Sequence, residues 1–191
     1  MRVIIAEDEG LIRMDLREML EEEGHEVVGE ARDGAEAVSA ARDKRPDIVF
    51  MDVKMPGMDG LEAARVIGEE QLAPVVMVTA FSQADVVRQA TEAGAMGYVV
   101  KPFTKADVLP AMEIATARFA EARALAEEIS DLNERLETRK AVDRAKGVLM
   151  AGGLSEPDAF RRLQKLAMDK RKTLREIAEA VVLAAEAGAE P

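Results

Sequence analysis

Acidic residues stand where short apolar runs end. Glu7-Asp8-Glu9 follows Val3-Ile4-Ile5-Ala6, and Asp52 follows Asp47-Ile48-Val49-Phe50-Met51. Two later runs end in other polar types: Thr79 closes Pro74-Val75-Val76-Met77-Val78, and Lys101 follows Gly97-Tyr98-Val99-Val100. If these ends meet, carboxylates, a small hydroxyl and an ammonium share one site. Crowded carboxylates repel one another unless a cation lies among them. An oxygen-only donor set favours a hard ion, and Mg²⁺ takes one or two carboxylates together with waters and phosphate oxygens. Alternatively, one carboxylate serves as a nucleophile and becomes an acyl phosphate, with the lysine and the threonine hydroxyl on the phosphoryl oxygens. A lone Asp or Lys at a strand end is an ordinary surface residue; the case rests on several ends supplying the set together.

Whether the ends meet is a question of fold. With Glu26-Val27-Val28-Gly29 the apolar runs number five; they are too short for helices and read as buried strands. Helical patterns lie between them. Leu11, Met14, Leu16, Met19 and Leu20 give one helix its apolar face, with Gly24 just past its end. Segments 35–41, 61–67 and 86–93 supply three more, the last closed by Gly94. The alternation predicts a parallel sheet covered on both faces, with right-handed crossovers. In such sheets the site lies beyond the carboxyl ends of the strands, at the switch in strand order. Glu7, Asp8, Asp52, Thr79 and Lys101 all fall at that edge.

The second half reads as helical. Thr104 and Asp107 form a capping box at one start, and Pro110 lies inside the helix, removing one backbone hydrogen bond. No further Gly or Pro follows until Gly147. Leu125, Ile129, Leu132 and Leu136 are spaced 4-3-4, a seam that fits either a second copy of the chain or the protein's own helices. After Gly152-Gly153, Ser155 with Asp158 and Thr173 with Glu176 mark two more helix starts. Their apolar positions are Ala159, Phe160, Leu163, Leu166 and Ala167, then Ile177, Val181, Val182 and Leu183, with a stop at Gly188. These helices and the end of the long one can form a small bundle, with Phe160 expected in its core.

Composition narrows the chemistry. The 191 residues are 48% hydrophobic and 33% charged, a globular balance suited to one large or two small domains. With no cysteine and only His25, disulfides, zinc–thiolate sites, cysteine nucleophiles and two-histidine mechanisms are excluded. No apolar stretch approaches the roughly 18–20 residues of a membrane span, and no signal-peptide pattern is visible, so a cytoplasmic protein without membrane contact is expected. The net charge of −11 is carried by residues 1–117, whereas 118–191 are neutral and 139–175 carry a net +7. Such asymmetry predicts two domains with different partners: a cation for the acidic half and a polyanion for the basic segment.

The ordered set Glu7-Asp8, Asp52 with Val53-Lys54-Met55-Pro56-Gly57-Met58-Asp59-Gly60, Thr79-Ala80 and Lys101-Pro102-Phe103 resembles the receiver domain of bacterial response regulators. The resemblance covers residues 1–117. It implies a flavodoxin-like α/β fold, a five-stranded parallel sheet in the order 2-1-3-4-5. It also implies that Asp52 accepts a phosphoryl group from a sensor histidine kinase. Glu7, Asp8, Asp52 and the Lys54 carbonyl would surround Mg²⁺, Thr79 and Lys101 would contact the phosphoryl group, and Tyr98 would be an aromatic switch. The Lys101-Pro102 bond is usually cis in that family.

The run Lys140-Ala141-Val142-Asp143-Arg144-Ala145-Lys146-Gly147-Val148-Leu149-Met150, with Leu154-Ser155-Glu156-Pro157-Asp158-Ala159-Phe160 and Leu163-Gln164-Lys165-Leu166-Ala167-Met168, resembles an ANTAR domain. That resemblance implies binding to RNA hairpins and antitermination of transcription. Arg139, Lys140, Arg144 and Lys146, with Arg161, Arg162 and Lys165 on the next helix, offer a phosphate-contacting stripe. The expected organisation is a receiver over 1–117, a helical coiled-coil linker over 118–138 and an all-α three-helix output domain over 139–191. The expected function is phosphorylation-gated regulation through RNA, with phosphorylation-dependent homodimerisation as one form of the gate. The alternative is an output that binds protein rather than RNA. An enzyme is not expected, because no motif for a second substrate appears.

Overall fold

The computed structural model describes residues 1–80 and 84–187, and the side chains of all of these except 84–87; the stop expected at Gly188 lies outside the described residues. Five strands, β1 (Arg2–Ala6), β2 (Glu26–Ala31), β3 (Ile48–Asp52), β4 (Val75–Thr79) and β5 (Gly97–Val100), pair in parallel in the order β2-β1-β3-β4-β5. The helices between them are α1 (Gly10–Glu22), α2 (Gly34–Lys44), α3 (Gly60–Glu69) and α4 (Ala84–Glu92). A single helix, α5 (Lys105–Ala151), follows, then α6 (Glu156–Lys170) and α7 (Leu174–Ala187). This is the flavodoxin-like sheet expected from the sequence.

Side-chain alternation divides the core of the sheet in two. Ile4, Val49, Met51, Val75 and Met77 face α2 and α3 through Ala37, Ala41, Ala63 and Ile67. Val3, Ile5, Ile48, Phe50, Val76 and Val78 face Leu16 and Leu20 of α1 and Val108, Met112 and Ala115 of α5. Strands β3 and β4 are buried along their whole length, as central strands covered on both faces must be. The apolar face of α1 is narrower than its sequence suggests. Leu16 and Leu20 are buried, but Leu11 and Met14 point to solvent, because only one stripe of a helix can meet a flat sheet.

The chain divides into two compact units, Met1–Ala124 and Leu125–Pro191. Helix α5 passes through 117, 124 and 138 without interruption, so no element ends where the sequence suggested domain boundaries. Gly147 and Pro110 both lie inside it. In the second unit Ala141, Val142 and Ala145 of α5 pack with Leu163 of α6 and with Ile177 and Ala178 of α7.

Phe160 does not join this core and is 37% exposed. Helix α6 turns Ala159 and Leu163 inward, and the residue after Ala159 is rotated about 100° away around the axis. The seam residues Leu125, Ile129, Leu132 and Leu136 are all exposed and stay outside the core that α5 forms with α6 and α7.

The capping boxes form as spaced. Ser155 accepts from the Asp158 N–H, the Thr104 N–H donates to Asp107, and the Thr173 N–H donates to Glu176. That donation, with the Thr173 hydroxyl and Lys172, holds the Glu176 carboxyl down at about 2.

Candidate functional site

The sheet order places its switch point between β1 and β3, and the acidic residues collect there. Glu7 and Asp8 follow β1, while Asp52 and Thr79 are the last residues of β3 and β4 rather than the first residues of loops. In register, Asp52 stands opposite Val78, and Thr79 opposite Val100. The Lys101 N–H donates to the Thr79 carbonyl at 2.8 Å, extending the ladder and fixing where the lysine leaves the sheet. The Lys101-Pro102 bond is cis.

One oxygen from each of Glu7, Asp8 and Asp52 lies within 4.8 Å of the others. Lys101 Nζ reaches into the cluster, 2.7 Å from Glu7 Oε2 and 2.9 Å from Asp52 Oδ1. The Lys54 N–H donates to Asp52 Oδ2 at 3.1 Å, and the Glu9 N–H donates to Glu7 Oε1 at 3.3 Å. Glu7, Asp52 and Thr79 are buried, whereas Asp8 is exposed at the mouth. A cavity of about 190 Å³ opens over Asp8, Asp52, Lys54, Thr79 and Lys101. Thus the structure brings together Glu7, Asp8, Asp52, Lys54, Thr79 and Lys101. Tyr98, half exposed on β5, lines a separate hollow with Lys101 and Asp107.

Burial sets the electrostatics. It pushes the Asp52 carboxyl up, helped by the charge of Asp8 and opposed by Lys101 and the Lys54 N–H. Burial also raises Glu7, and Asp52 adds to that, against Lys101 and the Glu9 N–H. Burial alone would lower the Lys101 ammonium, but its hydrogen bonds to Glu7 and Asp52 outweigh burial and raise it. Three acidic groups facing one lysine leave a surplus of negative charge, which an oxygen-liganded divalent cation would neutralise.

Two supporting residues carried no functional reading in the sequence. Arg13 donates to the Glu7 carbonyl at 2.6 Å and to Glu30 at 2.9 Å, tying α1 to the end of β1. A Cβ on Gly60 would stand 1.8 Å from the Asp52 carbonyl oxygen, so only glycine lets α3 start against the strand that presents Asp52. Asp59, whose side chain accepts from the Glu62 N–H and caps that helix, was the available clue.

The basic residues of the second unit are less uniform than their spacing suggests. Arg139 pairs with Asp143, Lys140 with Glu137, Lys146 with Asp143 and Glu156, and Arg161 with Asp158. Arg144, Arg162 and Lys165 are exposed and carry no ion pair among the described residues. The structure therefore does not present seven unengaged cations; four of them have carboxylate partners at helical spacing or across a loop.

The family model for the response regulator receiver domain matches residues 3–113, and that for the ANTAR domain matches 130–182. The transcriptional regulatory protein PdtaR of Mycobacterium tuberculosis is 57% identical over 182 residues, 95% of this chain and 89% of that one. Among solved structures, the signal receiver domain of a modulated diguanylate cyclase from Desulfovibrio desulfuricans superposes with a TM-score of 0.59 at 30% identity. That match covers 63% of this chain and 97% of the other. The CheX–CheY–BeF3–Mg²⁺ complex from Borrelia burgdorferi gives 0.55 at 32%, over 57% and 84% of the respective chains. With the acidic site at the switch point, a receiver match over the first unit and an ANTAR match within the second, the chain belongs to the two-component response regulators that carry an ANTAR output domain.

Proposed function

We propose that Asp52 is phosphorylated by a sensor histidine kinase and that the ANTAR helices, in response, bind RNA hairpins and cause transcription antitermination. The observation that carries the first step is the Asp52 carboxylate at the tip of a fully buried strand, in contact with Lys101 and opening into a cavity of about 190 Å³. A carboxylate oxygen of Asp52 attacks the phosphorus of a phosphohistidine; the new O–P bond forms as the P–N bond breaks, and the imidazole leaves with the electron pair. Lys101 Nζ then follows the new negative charge onto a phosphoryl oxygen, and the Thr79 hydroxyl donates to another.

Glu7, Asp8 and Asp52, with the Lys54 carbonyl, would hold Mg²⁺, which supplies neutralisation of the carboxylates and the phosphoryl oxygens. The donor set fits such an ion, being oxygen only and clustered within 4.8 Å. Movement of Thr79 and Lys101 is passed to β5, where Tyr98 turns inward and changes the surface offered to partners. The BeF3 and Mg²⁺ of the Borrelia CheY complex support this reading, since trifluoroberyllate has the shape and charge of a phosphoryl group.

For the output, the net +7 of residues 139–175 and the ANTAR match support RNA as the partner. Arg139, Lys140, Arg144, Lys146, Arg161, Arg162 and Lys165 supply the contacts, with Arg144, Arg162 and Lys165 ready for phosphates and the others exchanging a carboxylate for one. The exposed seam from Leu125 to Leu136 supports a phosphorylation-dependent homodimer through residues 118–138. A cytoplasmic location follows from this reading; among the described residues no helix is long and apolar enough to cross a membrane.

Two experiments test the proposal. Asp52→Asn should abolish labelling by acetyl phosphate, and undiminished labelling would refute the site. Crosslinking the protein to cellular RNA with and without phosphodonor should recover hairpin-bearing transcripts enriched by phosphorylation.

A further inference from the structure

A groove of about 600 Å³ lies wholly within the second unit. Its apolar lining is Val142 of α5, Phe160 of α6 and Leu174 of α7, and its polar lining balances Arg135, Arg139 and Lys146 against Asp131, Glu134 and Asp143. Phe160 is the only aromatic residue of that unit. It stays 37% exposed although the neighbouring Ala159 and Leu163 are completely buried, so the bundle is packed without its ring. Lys146 is held 3.0 Å from Asp143 and 2.8 Å from Glu156, with little of its side chain exposed. Arg139 instead extends into solvent, its side chain 85% exposed.

We propose that this groove receives one unpaired base of an RNA loop, stacked on Phe160; the inference rests on the RNA-binding reading above and adds where a base is read. A nucleobase is flat and apolar on its faces and carries donors and acceptors along its edge, which is what an apolar lining with polar groups of both signs complements. A bare phosphate gains nothing from that apolar lining and is repelled by Glu134. The net +7 of residues 139–175 favours a polyanion over a protein segment as the molecule that brings its apolar face here. Arg139, at the open edge, reaches the backbone phosphate of the inserted nucleotide, while Glu134 faces the edge of its base.

The test starts from a pool of RNA stem–loops with randomised loops, selected on the full-length protein treated with acetyl phosphate and Mg²⁺. For a selected stem–loop, Phe160→Leu should weaken binding about 5- to 150-fold, the range expected for one lost base–aromatic stack. Phe160→Trp should retain binding. Replacing one loop nucleotide by an abasic site should weaken the wild-type protein to a similar extent and Phe160→Leu no further. Ultraviolet crosslinking of the wild-type complex, which needs no variant, should join a loop base to the peptide containing Phe160. Wild-type affinity in a folded Phe160→Leu protein, abasic effects equal in both proteins, or crosslinks only elsewhere would overturn the pocket while leaving RNA binding standing. If no stem–loop is retained by the wild-type protein, the RNA reading itself fails, and the pocket with it.

Discussion

Asp52, Glu7 and Lys101 hold each other in a balance that a proton can tip. Burial raises both carboxyls, so each takes up a proton at a higher pH than an ordinary carboxylate would. A proton on either competes with a cation for the same oxygens. Mg²⁺ affinity, measured by titration calorimetry from neutrality down through the carboxylate range, should therefore begin to fall at a higher pH than at an ordinary carboxylate site, by at most roughly tenfold per pH unit for each proton displaced. A pH-independent affinity would mean that these carboxyls are not the ligands. Gly60 is the other residue on which the site depends. Gly60→Ala forces a methyl group into the Asp52 carbonyl, and overpacking of this kind typically costs about 1–3 kcal/mol. Urea unfolding should show a loss in that range or above, together with slower acetyl phosphate labelling, since the strand end must shift. The glycine was visible in the Asp59-Gly60 pair, but the reason for it was not, because the 1.8 Å approach exists only between folded elements.

Helix α5 is the element whose course was legible in the sequence and whose use was not. Its pattern runs from a capped start at Thr104, past Pro110, a seam from 125 to 136 and a basic stretch from 139, to Gly152-Gly153. The structure has it as one helix of 47 residues. A proline removes only one hydrogen bond, and a single glycine carries a penalty of about 1 kcal/mol relative to alanine, too little to end a helix packed at both ends. The sequence left two uses open for the seam, and its exposure removes packing on α6 and α7. Ile129→Glu combined with Leu132→Glu should therefore leave thermal unfolding of the monomer nearly unchanged. The same pair of substitutions should convert any phosphorylated dimer to monomer in light-scattering chromatography, and a dimer that persists would place the contact elsewhere. Phe160 makes the opposite point, because an apolar residue at helical spacing reads as core until the neighbours that fill the core are known.

In the molecule as a whole, charge is divided as the fold is divided, an acidic sheet domain followed by a basic helical segment. Binding of RNA through phosphates should weaken linearly in log–log plots against salt, with a slope no steeper than about −6 for seven basic contacts. A shallow slope would favour a protein partner. Arg162→Glu with Lys165→Glu should reduce hairpin binding strongly while leaving labelling at Asp52 intact. Lys146 is a poorer choice for charge reversal, because Asp143 and Glu156 already surround it and an added carboxylate would disturb the bundle.

The amino-acid order alone established the strand–helix alternation, the parallel sheet, the residues at its carboxyl edge and the three capping boxes. All of these depend on local periodicity or on spacing within a few residues, where the chemistry of neighbours is decisive. Three things required the folded chain: the 2.7 and 2.9 Å contacts of Lys101, the intolerance at Gly60, and the exposure of Phe160 and the seam. Each depends on which distant segments come within a few ångströms, and that is set by packing in three dimensions rather than by any interval along the sequence.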